Sequence, residues 1–395
     1  MAKYKSPDVI IGQIKSCASR ETENLTIAYK TKEYMKRFGH LYEQICSMDN
    51  LKYAHKNAMK GKGWYKEVVA INKDPDKYLK KLQNMLINHT YRTSKYNVFI
   101  KDDSRKKRVI YKLPYFPDRI AQWAVISVIE PYLIRHLTSD TYSAIPGRGI
   151  HYGLKRVVKD MQHDVVGCQY CLKIDVHHYY QSIDHNILKQ KYRKIFKDKE
   201  LLWILDEIID SISTSDNGSE ETGIPIGNYL SQYSGNLYLS DFDHWMKEQM
   251  HVKHYHRYMD DIVIFSDSKE KLHKLKVEID EYFKMNLKLE IKSNWQIFPS
   301  YARGIDYLGY RVFLNYVLLR KTTCKQMKKK MLHILKKCRK NHLMNYSEWC
   351  SINSYKGWLK WCNGFRLQKK YIYPLEIYAN FYYMKVIKKK GSKND

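Results

Sequence analysis

The sequence predicts an α+β fold in which helices at both ends of the chain flank a central region of strands and helices. Three observations support this prediction. Apolar residues recur at helical spacing from about residue 31 to residue 86, strand-like runs alternate with helical segments from about residue 96 to residue 266, and a lysine-rich segment of helical period begins near residue 322. Because 395 residues are too many for one ordinary core, we expect two or three packed units.

The pattern changes from helix to strand near residue 96. Two strand-like runs at 98–100 and 108–111 surround a polar, basic turn, which predicts a β-hairpin. A helix is expected to follow from about Asp118 to His136, and Pro131 is expected to kink this helix or end it early.

Helices and strands are expected to alternate through the centre of the chain. The expected elements are a strand at 170–176, a helix at 187–196, a polar glycine-containing loop at 214–223, a helix at 227–250, and strands at 252–259 and 262–266. The last two strands meet at a pair of carboxylates.

The charge balance predicts a polyanionic partner. Seventy Lys and Arg residues against 41 Asp and Glu residues leave a net charge of +29, and the pI is near 9.5. Such an excess favours nucleic acid over a membrane surface, although charge alone does not separate an enzyme from a packaging protein. The 35 tyrosines could stack on bases, or they could reflect coding bias. Without an apolar run of about 18 residues or a signal peptide, a cytoplasmic protein is expected.

Eight cysteines are distributed along the chain, and one pair has metal-ligand spacing. Cys168 and Cys171 form this pair, but no second close pair complements it. Reduced cytosolic thiols are therefore favoured over a zinc site.

Three aspartates carry the strongest chemical signal. Asp175 ends an apolar strand, and Asp260 and Asp261 occupy a tight turn between two strand-like runs. Adjacent carboxylates with apolar flanks repel one another unless a cation neutralises them. Phosphoryl transfer from a nucleoside triphosphate needs two divalent cations roughly 3.5–4 Å apart, held by hard oxygen ligands. The alternative for an isolated Asp-Asp pair is a solvated turn, but the upstream strand-ending aspartate favours a metal site.

At Tyr258, Met259, Asp260 and Asp261 the chain resembles the reverse transcriptases, whose hallmark is this hairpin sequence, and the resemblance extends over most of the chain. It implies a right-hand polymerase fold with fingers, a palm containing an antiparallel sheet, and a helical thumb. The implied divisions are an N-terminal helical extension at 1–88, fingers at 89–165, a palm at 166–318 with an insertion at 186–222, and a basic thumb at 319–395.

The resemblance also implies the metal and nucleotide contacts. Two Mg²⁺ ions, for which Mn²⁺ can substitute, would be held by the three aspartates and the backbone carbonyl of Val176. Tyr180, five residues after Asp175, would lie under the sugar and exclude a 2′-hydroxyl. The segment 286–292 resembles a strand that carries a proton-donating lysine in polymerases, so Lys292 would donate a proton to pyrophosphate. Lys107 and Arg108 would grip the triphosphate, and Arg108 is favoured because its fork binds phosphate bidentately. Tyr258 and Met259 would complete the nucleotide site.

Further segments are similar to nucleic-acid contacts of the family. Arg148 contacts the template or caps a turn, and both readings stay open. Tyr307, Leu308 and Gly309 resemble the primer-grip hairpin. The lysine-dense thumb would follow the duplex through Lys328, Lys329 and Lys336. No acidic cluster typical of RNase H follows, so template degradation is not expected.

One departure from the family pattern indicates a subgroup. Most reverse transcriptases have Pro-Gln-Gly where this chain has Pro225, Ile226 and Gly227, followed by Ser231 and Gln232. This pattern, together with 354–359, resembles the enzymes of diversity-generating retroelements. These enzymes copy a template-repeat RNA into cDNA with errors opposite adenine, and they work with a small helical accessory variability protein.

Three alternatives remain open from the sequence. The chain could be a retron-type or group II intron-type enzyme without targeted mutagenesis, a defence-associated enzyme that polymerises without a template, or a non-catalytic nucleic-acid binder. The last predicts loss of a metal carboxylate, yet Asp175, Asp260 and Asp261 are all present.

Overall fold

The computed structural model describes residues 37–103, 106–214, 221–341 and 343–387. Among the described residues, four helices precede the first strand: α1 (Tyr42–Cys46), α2 (Met48–Ala58), α3 (Lys66–Ile71) and α4 (Pro75–Ile87). The side chains of Ser47 and Asp74 cap α2 and α4 by accepting backbone N–H bonds. The predicted helical region is therefore confirmed from residue 42 onward, whereas residues 31–36 lie outside the described residues.

The expected hairpin is confirmed, and a long helix follows it. Strands β1 (Asn97–Asp103) and β2 (Lys106–Lys112) pair antiparallel. A π-helical turn at Tyr115–Arg119 leads into α5 (Ile120–Arg135), which contains Pro131 and continues to Arg135. The proline therefore does not end this helix early, because α5 is held by its buried apolar side chains.

The central region continues in chain order with α6 (Ile150–His163), β3 (Tyr170–Asp175), α7 (His185–Ile195), α8 (Lys199–Asp210), α9 (Tyr229–Tyr238), α10 (Ser240–His244), β4 (His254–Tyr258), β5 (Asp261–Ser266), α11 (Lys269–Tyr282) and β6 (Gln296–Pro299). The four strands form one antiparallel sheet in the order β4-β5-β3-β6. Strands β4 and β5 pair antiparallel and are joined by a two-residue turn, Met259 and Asp260, which confirms the predicted strand-turn-strand at the carboxylate pair.

Side chains alternate between the two faces of this sheet, so that each face packs into a different hydrophobic core. On one face, Leu172 and Ile174 join the helices of the N-terminal and central regions. On the other face, Cys171 and Val263 join α6 and the C-terminal elements. Asp175 shares this second face with Cys171 by the two-residue period of the strand.

The C-terminal region consists of a small sheet and a helical bundle. Its elements are α12 (Ser300–Arg303), β7 (Ile305–Tyr307), β8 (Tyr310–Val312), β9 (Val317–Leu319), α13 (Lys321–Asn341), α14 (Tyr346–Leu359), α15 (Phe365–Leu367) and α16 (Tyr373–Tyr382). Strands β7, β8 and β9 form an antiparallel sheet in that order. Within the ranges described, no helix combines the length and apolarity needed to cross a membrane.

One predicted element is wrong. The segment 286–292 was expected to be a strand, but α11 continues into a π-helical turn at Phe283–Leu287. Lys288 then adopts a left-handed conformation with φ of 51°, and only an isolated bridge joins Ile291 to Val176. The helical end and the turn leave too little extended chain for a strand.

Candidate active site

Three carboxylates converge at one end of the central sheet. Asp175, the last residue of β3, is paired directly with Asp261, the first residue of β5. Tyr258 pairs with Asp261 across the hairpin, so Met259 and Asp260 form a two-residue loop. Met259 has φ of 58°, a conformation that costs a non-glycine residue roughly 1–3 kcal/mol. The surrounding structure must therefore hold this loop in place.

The convergence of these acids creates strong electrostatic repulsion. Burial of the Asp260 carboxyl, and then the charge of Asp175, raise the pKa of Asp260 to about 7. Burial also raises the pKa of Asp261, an effect that Lys173 opposes. The Nζ of Lys292 lies 2.7 Å from Oδ1 of Asp175, and the Nζ of Lys173 lies 3.3 Å from Oδ1 of Asp261. Two ammonium groups thus partly neutralise the carboxylates.

The carboxylate oxygens of this site are suitable ligands for divalent cations, although the side chains are not arranged around a bound ion. In the part of the chain that the structure describes, no three His, Cys, Asp or Glu side chains are grouped so as to hold an ion. Asp175 is instead paired with Lys292, and Oδ1 of Asp261 is buried without a hydrogen bond. Unsatisfied, mutually repelling carboxylate oxygens are the ligands that Mg²⁺ prefers. Asp175, Asp260 and Asp261 are therefore the residues that would hold it.

The backbone carbonyl of Val176 lies next to this site. Val176 forms an isolated antiparallel bridge with Ile291, in which the hydrogen bonds run from the Lys292 N–H to the Asp175 carbonyl and from the His177 N–H to the Glu290 carbonyl. The Val176 carbonyl takes no part in this bridge and stays a predicted ligand.

An open cavity of about 450 Å³ adjoins the three carboxylates. Its lining consists of Lys173, Asp175, Asp260, Asp261, Asn294, Gln296, Asp306 and Arg320. Sequence reasoning missed Lys173, Asn294, Gln296, Asp306 and Arg320. Only Lys173 carried a usable signal, since it stands two residues before Asp175 and therefore on the same face of β3.

Tyr180 follows Asp175 by five residues, just after the end of β3. It belongs to a short 3₁₀ turn at Tyr179–Ser182, and its half-buried ring is close enough to Asp260 that burial, and then this carboxylate, raise the tyrosine pKa. Its neighbour Tyr179 is buried and donates a hydrogen bond to the carbonyl of Gly235. Tyr180 is thus the more accessible of the two rings and stands beside the carboxylates.

The segment around Ile226 is attached to the β1–β2 hairpin. The Tyr111 N–H donates to the Ile226 carbonyl at 3.3 Å. Gly227 has φ of 123°, and a Cβ there would lie 3.2 Å from the Tyr111 carbonyl oxygen. Only glycine suits this contact. Ser231 is buried and Gln232 exposed in the first turn of α9.

Lys107 and Arg108 are exposed on β2, opposite Asp102 and Lys101. They lie three to four residues from Tyr111, which corresponds to about 10–13 Å along a strand. Their predicted contact with a triphosphate therefore requires the hairpin to lie over the nucleotide, and it stays a prediction.

The predicted nucleic-acid contacts differ in their accessibility. Nη1 of Arg148 donates to the carbonyls of Thr138 and Thr141 at 2.8 and 2.9 Å. Of the two roles that the sequence left open for Arg148, template contact and turn capping, these bonds correspond to turn capping. Lys329 and Lys336 are exposed on α13. The ammonium of Lys328 is half-buried and lies 5.7 Å from the ring centre of Tyr371.

The segment predicted as a primer grip forms a tight turn between β7 and β8. Leu308 and Gly309 have φ values of 53° and 84°, and Tyr307 is fully buried. A Cβ on Gly309 would lie 2.6 Å from the ring of Trp358 in α14. The turn is therefore packed against the helical C-terminal region, and Tyr307 supports it from inside.

Arg257 is a further residue that sequence reasoning missed. Its side chain is fully buried, pairs with the fully buried Asp243 and donates from Nη1 to the Met259 carbonyl at 3.1 Å. It therefore holds the loop that carries Asp260. A charged residue within a strand-like run looks like a solvent-facing position from sequence alone.

Cys168 and Cys171 are buried in the second core. Burial raises the pKa of both thiols, to about 12 for Cys168. Both are therefore held as neutral thiols.

The family model for reverse transcriptase (RNA-dependent DNA polymerase) matches residues 100–312, which include the hairpin, the central sheet and the three carboxylates. The chain therefore belongs to the reverse transcriptase family, and its fold is that of a right-hand polymerase. Among curated proteins it is similar to protein YkfC of Escherichia coli K12, with 21% identity over 251 residues, covering 54% of this chain and 65% of YkfC. The match thus spans less than two thirds of that relative.

Solved telomerase structures also match this chain, at low similarity. An apo telomerase from Candida tropicalis, truncated from its C-terminal domain, has 14% identity and a TM-score of 0.43, covering 58% of this chain and 55% of that one. Telomerase from Candida albicans, in complex with a telomeric RNA fragment, has 10% identity and a TM-score of 0.45, covering 63% and 53%. This chain spans about half the length of these structures.

Proposed function

We propose that this chain is an RNA-directed DNA polymerase that extends a DNA primer on an RNA template with deoxynucleoside triphosphates. The observation that carries the proposal is the direct pairing of Asp175 with Asp261 at the ends of adjacent strands, with Asp260 in the loop beside them. The three carboxylates line one cavity. The net charge of +29 suits a nucleic-acid substrate.

In this mechanism the chain's own residues bind and orient the incoming nucleotide and supply a proton to the leaving group. Asp175, Asp260 and Asp261 would hold two Mg²⁺ ions, or Mn²⁺ in their place, which would supply Lewis-acid activation of the primer 3′-oxygen and neutralise charge on the leaving pyrophosphate. Tyr180 lies under the incoming sugar and excludes a 2′-hydroxyl by steric contact. Lys292, already 2.7 Å from Asp175, passes its proton to pyrophosphate, and Lys107 and Arg108 bind the triphosphate from the hairpin.

We further propose the following domain boundaries along the chain. Residues 1–88 form an N-terminal helical extension, 89–165 the fingers, 166–318 the palm with an insertion at 186–222, and 319–395 the thumb. The exposed Lys329 and Lys336 on α13 would follow the template–primer duplex. Binding should weaken steeply with salt, since each neutralised phosphate contributes a slope of about one in log–log terms.

Primer extension with and without RNA tests the proposed activity. We expect product on a DNA primer annealed to RNA, and none when the RNA is omitted. Product of equal length without RNA would favour a defence-associated enzyme that polymerises without a template. Failure to extend under either condition would remove the polymerase proposal.

We propose more specifically that the enzyme belongs to a diversity-generating retroelement, where it copies a template-repeat RNA into adenine-mutagenised cDNA with a small accessory variability protein. Support comes from Pro225, Ile226 and Gly227 in place of Pro-Gln-Gly. Ile226 supplies apolar bulk where the usual glutamine can hydrogen-bond near the sugar. One neutral hydrogen bond contributes about 0.5–1.5 kcal/mol, or several-fold in nucleotide selectivity.

Sequencing the cDNA of Ile226→Gln tests this subgroup assignment. We expect fewer errors opposite template adenine in Ile226→Gln, and no change in Ile226→Leu, which keeps the apolar bulk. An unchanged error spectrum in Ile226→Gln would remove Ile226 from the explanation. A wild-type spectrum without adenine errors, also in the presence of an accessory protein, would favour a retron-type or group II intron-type enzyme.

A further inference from the structure

A small cavity lies between the base of the β1–β2 hairpin and the N-termini of α5 and α9. Its volume is about 90 Å³, and it shares no lining residue with the cavity at the three carboxylates. The charged residues that line it are Lys112 and Arg119, and its lining contains no acidic residue among those the structure describes. The cavity is therefore a separate site, and its charge is positive.

The amide of Gln122 directs a hydrogen-bond donor into this cavity. Gln122 is 2% exposed, and its Oε1 accepts the Tyr229 N–H at 3.1 Å. This bond fixes the orientation of the amide, because a flipped amide would place its NH₂ group against the Tyr229 N–H. The Nε2 of Gln122 is then buried without a hydrogen-bond partner. A buried donor of this kind requires an acceptor, and the cavity is the space in which an acceptor can bind.

Arg119 is a second donor that lacks a partner. Its Nε is buried and makes no hydrogen bond, and burial lowers the pKa of its guanidinium. Of the described residues, only the phenols of Tyr115 and Tyr65 favour the charge of Arg119, and no carboxylate does so. Burial, and then the charge of Arg119, also lower the pKa of Lys62. Half-buried cations without a counter-charge indicate that the cavity binds an anion.

Two helix ends favour the same kind of ligand. Arg119 is the N-cap of α5 and Asn228 is the N-cap of α9, and neither side chain makes a capping hydrogen bond. Both residues line the cavity. Because the N-terminus of a helix carries a partial positive charge, the two helices add to the attraction for an anion.

The size of the cavity restricts the anion. A volume of about 90 Å³ corresponds to about three water molecules in the liquid, which admits one phosphate group and excludes a nucleoside. A phosphodiester carries a sugar on each side, and these sugars would keep its oxygens away from the buried Gln122 amide. A free phosphate has no such obstacle, and its oxygens accept charge-assisted hydrogen bonds from arginine.

We propose that this cavity binds a free phosphate anion, either inorganic phosphate or one end of pyrophosphate, through Arg119 and Gln122. The bound anion would join the base of the hairpin at Lys112 to the start of α5. Binding requires neither a metal ion nor a template. The position of the hairpin, which carries Lys107 and Arg108, would thereby depend on the concentration of free phosphate.

Thermal unfolding of the whole chain tests this site, with chloride at equal ionic strength as the reference. The Tm of the wild type should rise by about 2 °C for each tenfold increase of the bound anion above its Kd. Separate titrations with inorganic phosphate and pyrophosphate identify which of the two binds more tightly. Hydrogen exchange should show that the amides of the hairpin become more protected when the anion is added.

Arg119→Met and Gln122→Glu separate a ligand site from a structural role. Arg119→Met should not respond to phosphate, and its Tm without phosphate should be at least that of the wild type, because a half-buried charge is removed and no partner is lost. Gln122→Glu keeps an acceptor for the Tyr229 N–H and gives Arg119 a counter-charge, so it should be stable and unresponsive to phosphate. Lys271→Gln, at an exposed lysine that pairs with Asp267 at 2.9 Å, should respond like the wild type.

Four outcomes would overturn the proposed site. The first is a wild-type Tm that responds to phosphate and pyrophosphate no more than to chloride. The second is a lower Tm of Arg119→Met in phosphate-free buffer, which would show that Arg119 supports the fold. The third is an undiminished phosphate response in Gln122→Glu, which would place the anion elsewhere. The fourth is stabilisation by an RNA oligonucleotide but by neither free anion, which would show that a phosphodiester binds instead.

Discussion

Replacement of Arg257 by methionine should both destabilise the fold and impair extension. The Arg257–Asp243 pair is fully buried, with Nε of Arg257 2.7 Å from Oδ1 of Asp243. Tyr255 and Thr141 also donate to Asp243, at 2.6 and 2.9 Å. Removing Arg257 alone leaves a buried carboxylate without its counter-charge, which should lower the free energy of unfolding by about 3–5 kcal/mol.

The double variant Arg257→Met with Asp243→Leu separates stability from function. It removes both charges, so most of the lost unfolding free energy should return. Extension should remain reduced, since the Met259 carbonyl still lacks the hydrogen bond at 3.1 Å that supports its strained conformation. Losing such support for a metal ligand typically costs about 10–100-fold in activity or metal affinity.

Urea denaturation followed by circular dichroism, together with primer extension, measures both effects. Wild-type stability in Arg257→Met would refute the claim that the buried pair is a strong electrostatic constraint. Full recovery of extension in the double variant would refute the role of Arg257 in holding the Asp260 loop.

Two glycine substitutions test the contacts around the site. Gly309→Ala places a Cβ 2.6 Å from the Trp358 ring, so we expect weaker template–primer binding in a filter-binding assay as α14 is displaced. Gly227→Ala adds strain of about 1–3 kcal/mol at φ of 123° and crowds the Tyr111 carbonyl, so the KM for dNTP should rise. Gly357→Ala, with open space around its Cβ, is the control and should leave both quantities unchanged.

Elements whose pattern lies in consecutive residues could be predicted from the sequence alone. An aspartate at the end of an apolar strand (Asp175) and an Asp-Asp turn (Asp260, Asp261) predicted that three carboxylates meet at the ends of strands. The register of β3 with β5 brings them together. The hairpin at 97–112 was likewise predictable, because two strand-like runs flank one polar turn.

Long-range partners were not predictable in this way. Arg257 was missed because its partner Asp243 stands 14 residues earlier, on a different element, and only the fold makes the position buried. Asp306 and Arg320 carry no motif and reach the site only because β7–β9 packs against the face of β3 that bears Lys173. The strand expected at 286–292 failed because the end of α11 overrode local β propensity.

The most direct test of the account is metal-dependent primer extension by single aspartate variants. Wild type should extend a DNA primer on RNA only when Mg²⁺ or Mn²⁺ is added. Asp175→Asn, Asp260→Asn and Asp261→Asn should each give no detectable product while keeping a cooperative unfolding transition. Asp267→Asn, at an exposed carboxylate that pairs with Lys271, should extend like the wild type. Extension by any of the three active-site variants at the wild-type rate would contradict the claim that these carboxylates hold the catalytic ions.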